Sequence, residues 1–395
     1  MNSFIKVTLK HGKDQSIRRN HPWVFSGAIQ RIDGKPENGD IIEVADIKGE
    51  TLGFAHYSEG SIAARIFHFG KNIDLENIWE KKISDAFELR MKLGLTGNEA
   101  TTIYRLVHGE GDGLPGLIID IYGNTAVIQC HSSGMYKLRA RFVDALKKVF
   151  GEHLVAIYDK SAEKLHHKDD AAPVNSYLYG KAADTVAYEY GHAFKIDWEE
   201  GQKTGFFIDQ RENRRLLQEM SAGKKVLNTF CYTGGFSVFA LKGGAQMVHS
   251  LDSSQKALDL TEENIRLNNI DPNKHSVIKA DAVEYLKNID VDYDVIVLDP
   301  PAFAKHLSAR HKAVQGYLRI NEAAMRQIKP GGIIFTFSCS QAVDKQLFTN
   351  TVIAAAIAAK RDVKILHQLH QPADHPISAF HPEGEYLKGL VVLVG

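Results

Sequence analysis

The period of the hydrophobic positions changes twice along the chain. Up to about residue 72 they fall in short runs, IIEVA, TLGFAH and SIAARIF, split by Asn-Gly, Lys-Gly and Glu-Gly pairs that suit tight turns. That pattern predicts a small β-barrel or sandwich. The next stretch, DLENIWEKKISDAFELRMKLGL, places Leu75, Ile78, Ile83, Phe87 and Met91 near the helical period and ends at Gly94, a suitable C-cap. Between about 102 and 190 the strand-like runs GLPGLIIDIYG and NTAVIQC precede the helical YKLRARFVDALKKVF, so a second, α+β domain is predicted.

After about residue 190 apolar runs alternate with amphipathic ones. KKVLN leads to FSVFALKGG, QMVHSLD to SSQKALDLTEENIRLNN, SVIKAD to AVEYLKN, and YDVIVLDPP to a helix reaching about Ile328; GGIIFTFSCS then leads to VDKQLFTNTVIAAAIAAK. This rhythm predicts a doubly wound α/β domain with a parallel sheet covered on both faces. The domains expected are therefore 1–72, 73–190 and 191–395. Ligands of such sheets bind beyond the carboxyl ends of the strands, which makes the residues just after each strand the ones to question.

Composition narrows the class. The 395 residues are 44% hydrophobic and 24% charged, as in ordinary globular proteins. No run approaches the ~18 apolar residues of a membrane span, and MNSFIKVTLKHGKDQ lacks the apolar centre of a signal peptide, so a cytoplasmic location without membrane contact is expected. Cys130, Cys231 and Cys339 are far apart, which suggests neither a disulfide framework nor a zinc site; the adjacent His166 and His167 point apart and read as surface residues. Net charge is zero, yet residues 1 to 31 carry Lys6, Lys10, Lys13, Arg18, Arg19 and Arg31 against Asp14 alone. Such a cluster suits phosphate contacts, or is simply a basic solvated face.

The strand ends carry the chemistry. VLN opens into TFCYTGGF, where Thr233, Gly234 and Gly235 allow a tight turn before a helix N-terminus. It is not GxGxxG, so a nicotinamide dinucleotide is disfavoured. The next strand ends at Asp252, spaced to accept from ribose hydroxyls, and the third at Asp281, placed to accept from an adenine amino group. Either carboxylate alone reads as a helix N-cap. Together, with no Walker lysine after the glycines, they describe a nucleoside cofactor without phosphates, which S-adenosylmethionine fits. The fourth strand ends in DPPAF, a stiff loop that fixes Asp299 and offers Phe303 as a stacking face. The fifth ends at Ser338-Cys339-Ser340. A thiolate there could add to C6 of a pyrimidine and make C5 nucleophilic; a buried small residue is the plainer alternative. Cys231, in the glycine loop, is the rival nucleophile, and Cys130 reads as core.

The runs GQKTGFFIDQRENR, LNTFCYTGGF, LDSSQKAL, DPPAF, FTFSCS and ADHPISAFHPEGEYLKGL resemble the bacterial 23S ribosomal RNA 5-methylcytosine methyltransferases of the large-subunit RlmI type. RRNHPWVFSGAI is similar to the start of that family's PUA domain, an RNA-binding β-barrel. The resemblance spans essentially the whole chain. It implies a PUA domain, a middle α+β domain and a class I, Rossmann-like methyltransferase domain whose last strand is antiparallel. It implies S-adenosylmethionine held by Asp252 and Asp281, with Asn228, Phe230, Thr233, Gly234 and Gly235 in the cofactor loop and Thr204, Phe206, Phe207 and Gln210 closing over it. Cys339 becomes the nucleophile, and Asp299, at the cofactor's edge, orients the cytosine. The partner implied is 23S rRNA or a precursor, naked or protein-poor, and a homodimer is the assembly left open. Two residues depart from the family's pattern: Ala302 where lysine is common, with Lys305 as a candidate replacement charge, and Cys231 where serine is common. The second cysteine that many such enzymes carry in the DPP loop is missing, so product release needs another base. Methylation of a base nitrogen, or RNA binding without turnover, are the readings left beside this one.

Overall fold

A computed structural model describes residues 4–165, 173–182, 185–304 and 306–395. His166, His167 and Lys305, singled out above, lie outside them. The chain forms two compact units. Unit 1 comprises Met1–Tyr188, Ile196–Ile208 and Ala373–Gly384; unit 2 comprises Glu189–Lys195, Asp209–Pro372 and Glu385–Gly395.

Unit 1 begins with a six-stranded sheet in the order Trp23–Phe25, Ile62–Phe69, Thr51–Tyr57, Ile41–Ala45, Ile5–Leu9, Ile29–Ile32. The three strands expected from alternation are there. The strands flanking them were too short to show a period. The four antiparallel pairs each carry a register shift, at Thr8/Leu9, Val24/Phe25, Val44/Ala45 and Phe54/Ala55. Each bulge bends and twists its strand, so the sheet curls around Val7, Leu9, Val24, Ile42, Val44, Ala55 and Ile66.

The second sheet of unit 1 runs Ser176–Gly180, Ala156–Asp159, Thr125–Cys130, Leu117–Tyr122, Ile103–His108, with helices Ile78–Lys92 and Arg139–Phe150. Trp79, Ile83, Phe142 and Leu146 from the helices share one apolar cluster with Leu106, Ile119 and Ile128 from the strands and with Phe54 and Phe67 of the first sheet. Gly94 ends the first helix as expected: at φ +70° it donates to Met91 O while Leu95 N reaches Arg90 O, a Schellman closure. One position differs from the apolar pattern. Met91 is 54% exposed, and the residue buried in that turn is Arg90, whose guanidinium pairs with both oxygens of Asp112 at 2.5 and 2.9 Å and donates to Asp374 O at 2.7 Å. A charge buried with a matched partner and a carbonyl is tolerated where an apolar residue was expected.

Unit 2 is built on a seven-stranded sheet: β1 Lys225–Thr229, β2 Met247–Asp252, β3 His275–Lys279, β4 Val295–Leu298, β5 Gly332–Ser338, β6 Val363–His370 and β7 Lys388–Val394. Its order is β3-β2-β1-β4-β5-β7-β6. β1 to β5 are mutually parallel, and β7 lies antiparallel between β5 and β6. The antiparallel last strand is therefore as the resemblance implied; β6 carries no distinct signal in the sequence, most of its residues being exposed. β4 is buried at all four positions, as a central strand covered on both faces must be. The order reverses between β1 and β4. In doubly wound sheets this switch point opens a crevice at the carboxyl ends.

Candidate functional site at the carboxyl ends of the strands

The chain leaves β1 through Phe230–Gly234 in an unusual conformation. Phe230 and Tyr232 are left-handed, with φ +54° and +48°, and Gly234 follows at +76°. Two bulky residues in that region store strain, which persists only where the surroundings fix it. Here Cys231 N donates to Leu251 O at 3.0 Å, Tyr232 N to Asp252 Oδ2 at 3.0 Å and Gly234 N to Cys231 O at 2.8 Å. A Cβ on Gly234 would lie 2.5 Å from Thr261 Cγ2, so only glycine fits before the helix Gly235–Lys242. Thr233 is buried and its carbonyl accepts from Asn264 Nδ2 at 2.8 Å; the Arg214 side chain lies against Gly235. Asn228 is buried in β1, donating to Ser237 Oγ at 2.9 Å, while its Oδ1 has no hydrogen-bond partner among the described residues.

The acidic residues at the next strand ends differ in kind. Asp252 is half-buried, each oxygen accepting one backbone N–H, from Tyr232 and from Ser254, both at 3.0 Å. An ionised carboxylate has further acceptor capacity on both oxygens, so Asp252 is oriented and still able to bind hydroxyls. Asp281 is exposed and caps Glu284 N at 3.0 Å through Oδ1. It is an N-cap, and the bond to Glu284 N engages Oδ1 alone.

β4 and β5 are neighbours, so Asp299 and Cys339 leave the same edge of the sheet, both half-buried. Ser340, which follows Cys339, explains why the strand ends there. Ser338 and Ser340 are fully buried; Ser340 Oγ accepts from Ala304 N at 3.3 Å and bonds Tyr317 OH at 2.9 Å. The post-β5 turn is thereby tied to the post-β4 loop, and the residue between the serines is left half-buried. The Phe303 ring rests on Tyr317, centroids 4.7 Å apart, so one of its faces is already covered.

The three thiols are unequal. Burial pushes Cys130 up to about 12, and burial with Asp252 alongside pushes Cys231 well above the ordinary thiol value. Both are held protonated, Cys130 in the core as expected. None of the three is in a disulfide.

The expected closing segment divides. Thr204, Phe206 and Phe207 belong to unit 1, where Thr204 Oγ1 bonds Asp120 Oδ2 at 2.6 Å and Tyr122 OH at 2.9 Å, Phe206 is buried, and Lys203 Nζ lies 4.2 Å over the Phe207 ring. Gln210 belongs to unit 2, where it is buried and accepts from Asn213 Nδ2 at 2.6 Å.

Half of the basic run of unit 1 is neutralised. Lys6 pairs with Glu43, Arg18 with Asp14, Asp46 and Glu50, and Arg31 with Asp33, while Lys10, Lys13 and Arg19 form no salt bridge among the described residues. Two segments far apart in sequence meet nearby: His21 Nε2 lies 3.4 Å and His381 Nε2 3.8 Å from Glu383 Oε2, and Trp23 stacks edgewise on His381. Trp23 N donates to His21 Nδ1 at 3.2 Å, which puts the His21 proton on Nε2, toward Glu383. Spacing alone gave no sign of it.

The profile of an S-adenosylmethionine-dependent methyltransferase family matches residues 144–382, and that of a PUA-like domain matches residues 7–69. Ribosomal RNA large subunit methyltransferase I of Pseudoalteromonas translucida is 39% identical over 98% of the chain and 99% of its own length, and that of Escherichia coli O139:H28 is 38% identical over 99% of each. The chain belongs to the ribosomal RNA large subunit methyltransferase I family. The fold agrees: the crystal structure of SMU.776, a methyltransferase solved with SAH, superposes with a TM-score of 0.85 over 99% of this chain and 100% of that one, at 22% identity.

Members of the ribosomal RNA large subunit methyltransferase I family use S-adenosylmethionine, and unit 2 fits that cofactor. At Gly234 the turn admits only glycine, and the Asp252 carboxylate is fixed by two backbone N–H groups with acceptor capacity left over. No lysine follows Gly235 to meet a phosphate. Among the described residues no helix is long and apolar enough to cross a membrane. Tyr317 and Lys388, both bonded to Ser340, are residues of this strand end that the sequence reading did not single out. Tyr317 had a signal only in hindsight, as the polar-tipped residue on the buried face of its helix.

Proposed function

We propose that the chain methylates C5 of a cytosine in 23S ribosomal RNA, or its precursor, with Cys339 bonding transiently to C6. The observation that carries this reading is the contrast among the thiols: Cys130 and Cys231 are buried and held protonated, whereas Cys339 is half-buried at the strand end beside Asp299. S-adenosylmethionine, when bound, supplies a methyl group on a sulfonium. Asp252 and Asp281 would hold its ribose and adenine against Asn228 of β1, the loop residues Phe230, Thr233 and Gly234, and Gly235 at the helix start, with Asp299 at its edge and Thr204, Phe206, Phe207 and Gln210 over it.

The Cys339 thiolate adds to C6, forming the Sγ–C6 bond and moving the C5–C6 electron pair onto C5, which thereby becomes able to take the methyl group. A base then removes the C5 proton, the C5–H pair restores the double bond, and the Sγ–C6 bond breaks to return the thiolate. Asp299 orients the base by accepting from its amino group. Residues 1–72 act as the PUA domain that grips RNA, 73–190 as the middle domain and 191–395 as the catalytic domain, in the cytoplasm; the target base must be swung out of its stack or met single-stranded. A homodimer is the assembly we assign for light scattering to check.

The test is Cys339→Ala with a large-subunit rRNA fragment. Methyl transfer should vanish while S-adenosylhomocysteine still binds, and RNA carrying 5-fluorocytosine should form a denaturant-stable adduct at Cys339. Retained methylation in Cys339→Ala would point to a base nitrogen and sink the covalent route; no S-adenosylhomocysteine release from the wild-type chain with any fragment would point to binding alone.

A further inference from the structure

The reading above leaves open what ionises Cys339, since a neighbouring carboxylate such as Asp299 disfavours a thiolate. The structure offers a cation. Lys388 is the first residue of β7 and pairs in register with Ser338 of β5, next to Cys339. It is 6% exposed, and its Nζ donates to Ser340 O, the carbonyl just beyond Cys339, at 2.8 Å. No carboxylate lies within salt-bridge distance of Lys388 among the described residues. A buried ammonium with one neutral acceptor for its three N–H groups is an unstable arrangement unless an anion is near.

The candidate anions can be compared. Burial pushes Lys388 below the ordinary lysine value, and the opposing pull toward the charged form comes first from Cys339, then from Glu385 and Asp344. Asp344 is engaged by Arg310 at 3.1 Å and caps Leu347 N. The other titratable groups around the pair are Tyr317, whose hydroxyl burial keeps protonated, His370, the register partner of Lys388 on β6, and Asp299.

We propose that the Lys388 ammonium is the counter-ion of the Cys339 thiolate, a positioning residue that keeps the nucleophile ionised and aimed at the crevice. The inference rests on Cys339 being the nucleophile proposed above. On ionisation the thiol proton leaves to solvent and Lys388 keeps its own, so the pair goes from one net positive charge to none. The same cation stabilises the sulfur as leaving group when the Sγ–C6 bond breaks. That role matters in a chain whose DPP loop lacks a second cysteine.

The experiment is the pH profile of Cys339 alkylation by iodoacetamide in the full chain, without RNA or cofactor, read by mass spectrometry of the peptide that carries it. The wild-type midpoint should lie below about 8.5, the ordinary thiol value. Lys388→Met should raise it by about one unit, cutting the alkylation rate at pH 7 about tenfold, and Lys388→Arg should restore it. An unmoved midpoint in folded Lys388→Met overturns the inference. Should that variant not fold, a wild-type midpoint at or above the ordinary value overturns it equally. The two readings fail separately: methylation retained in Cys339→Ala removes the nucleophile, whereas an essential Cys339 with an unmoved profile removes only Lys388.

Discussion

Replacing Gly234 by alanine tests whether the loop after β1 is built around a missing side chain. An alanine held at φ +76° costs about 1–2 kcal/mol in backbone strain, offset by up to about 1 kcal/mol because the unfolded chain loses freedom. The new Cβ would stand 2.5 Å from Thr261 Cγ2, about 1 Å inside normal carbon contact. Thr261 cannot turn aside, because its hydroxyl bonds Tyr232 O at 2.9 Å and Ala257 O at 3.0 Å. Overpacking of this kind adds about 1–3 kcal/mol. Gly234→Ala should therefore lower the stability of unit 2 by about 2–4 kcal/mol. Thr261→Ser in that background removes Cγ2 and keeps the hydroxyl, and should recover about 1–2 kcal/mol. The assay is urea unfolding by far-ultraviolet circular dichroism. Trp23, Trp79 and Trp198 all lie in unit 1, so their fluorescence reports that unit while circular dichroism reports both. S-adenosylhomocysteine affinity should fall with the stability. A loss under about 0.5 kcal/mol, or no recovery from Thr261→Ser, would refute the reasoning.

Ser340→Ala removes the acceptor of the buried Ala304 N–H, which should destabilise the post-β4 loop by about 1–3 kcal/mol; faster hydrogen exchange in the 300–304 peptide and slower methyl transfer at unchanged cofactor affinity are expected, and unchanged exchange would count against the tie. Burial lowers His56 to about 3 and His131 and His275 to about 4, so the folded chain keeps them neutral where the unfolded chain takes up protons. Their contribution is therefore complete above about pH 6.5 and is lost as pH falls toward 4, by up to about 1.4 kcal/mol per pH unit for each. Urea midpoints at pH 7.5, 6 and 5 should fall in that order; a flat series would contradict it.

Local pattern carried much of this protein. Period-two runs marked the strands Ile41–Ala45, Thr51–Tyr57 and Ile62–Phe69, and fully apolar runs before amphipathic ones marked β1 to β5, because burial on one or two faces is written in the period itself. Gly94 was legible as a cap because only glycine sits comfortably left-handed there. Since the strand ends of a parallel sheet share one edge, the sequence alone also put Asp252, Asp281, Asp299 and Cys339 on that edge.

Tertiary structure decided what surrounds them. Lys388 neighbours Cys339 only because β7 inserts antiparallel between β5 and β6, a choice of sheet order that no local spacing encodes. Arg90 is buried where the helical stripe called for an apolar residue, because Asp112 and Asp374 arrive from other segments to meet it. FSCS could be read from the sequence as a strand ending in a thiol. That Ser340 ties the DPP loop to Tyr317 through its hydroxyl and accepts from the buried Lys388 ammonium through its carbonyl follows from long-range pairing, which hydrophobic periodicity leaves undetermined.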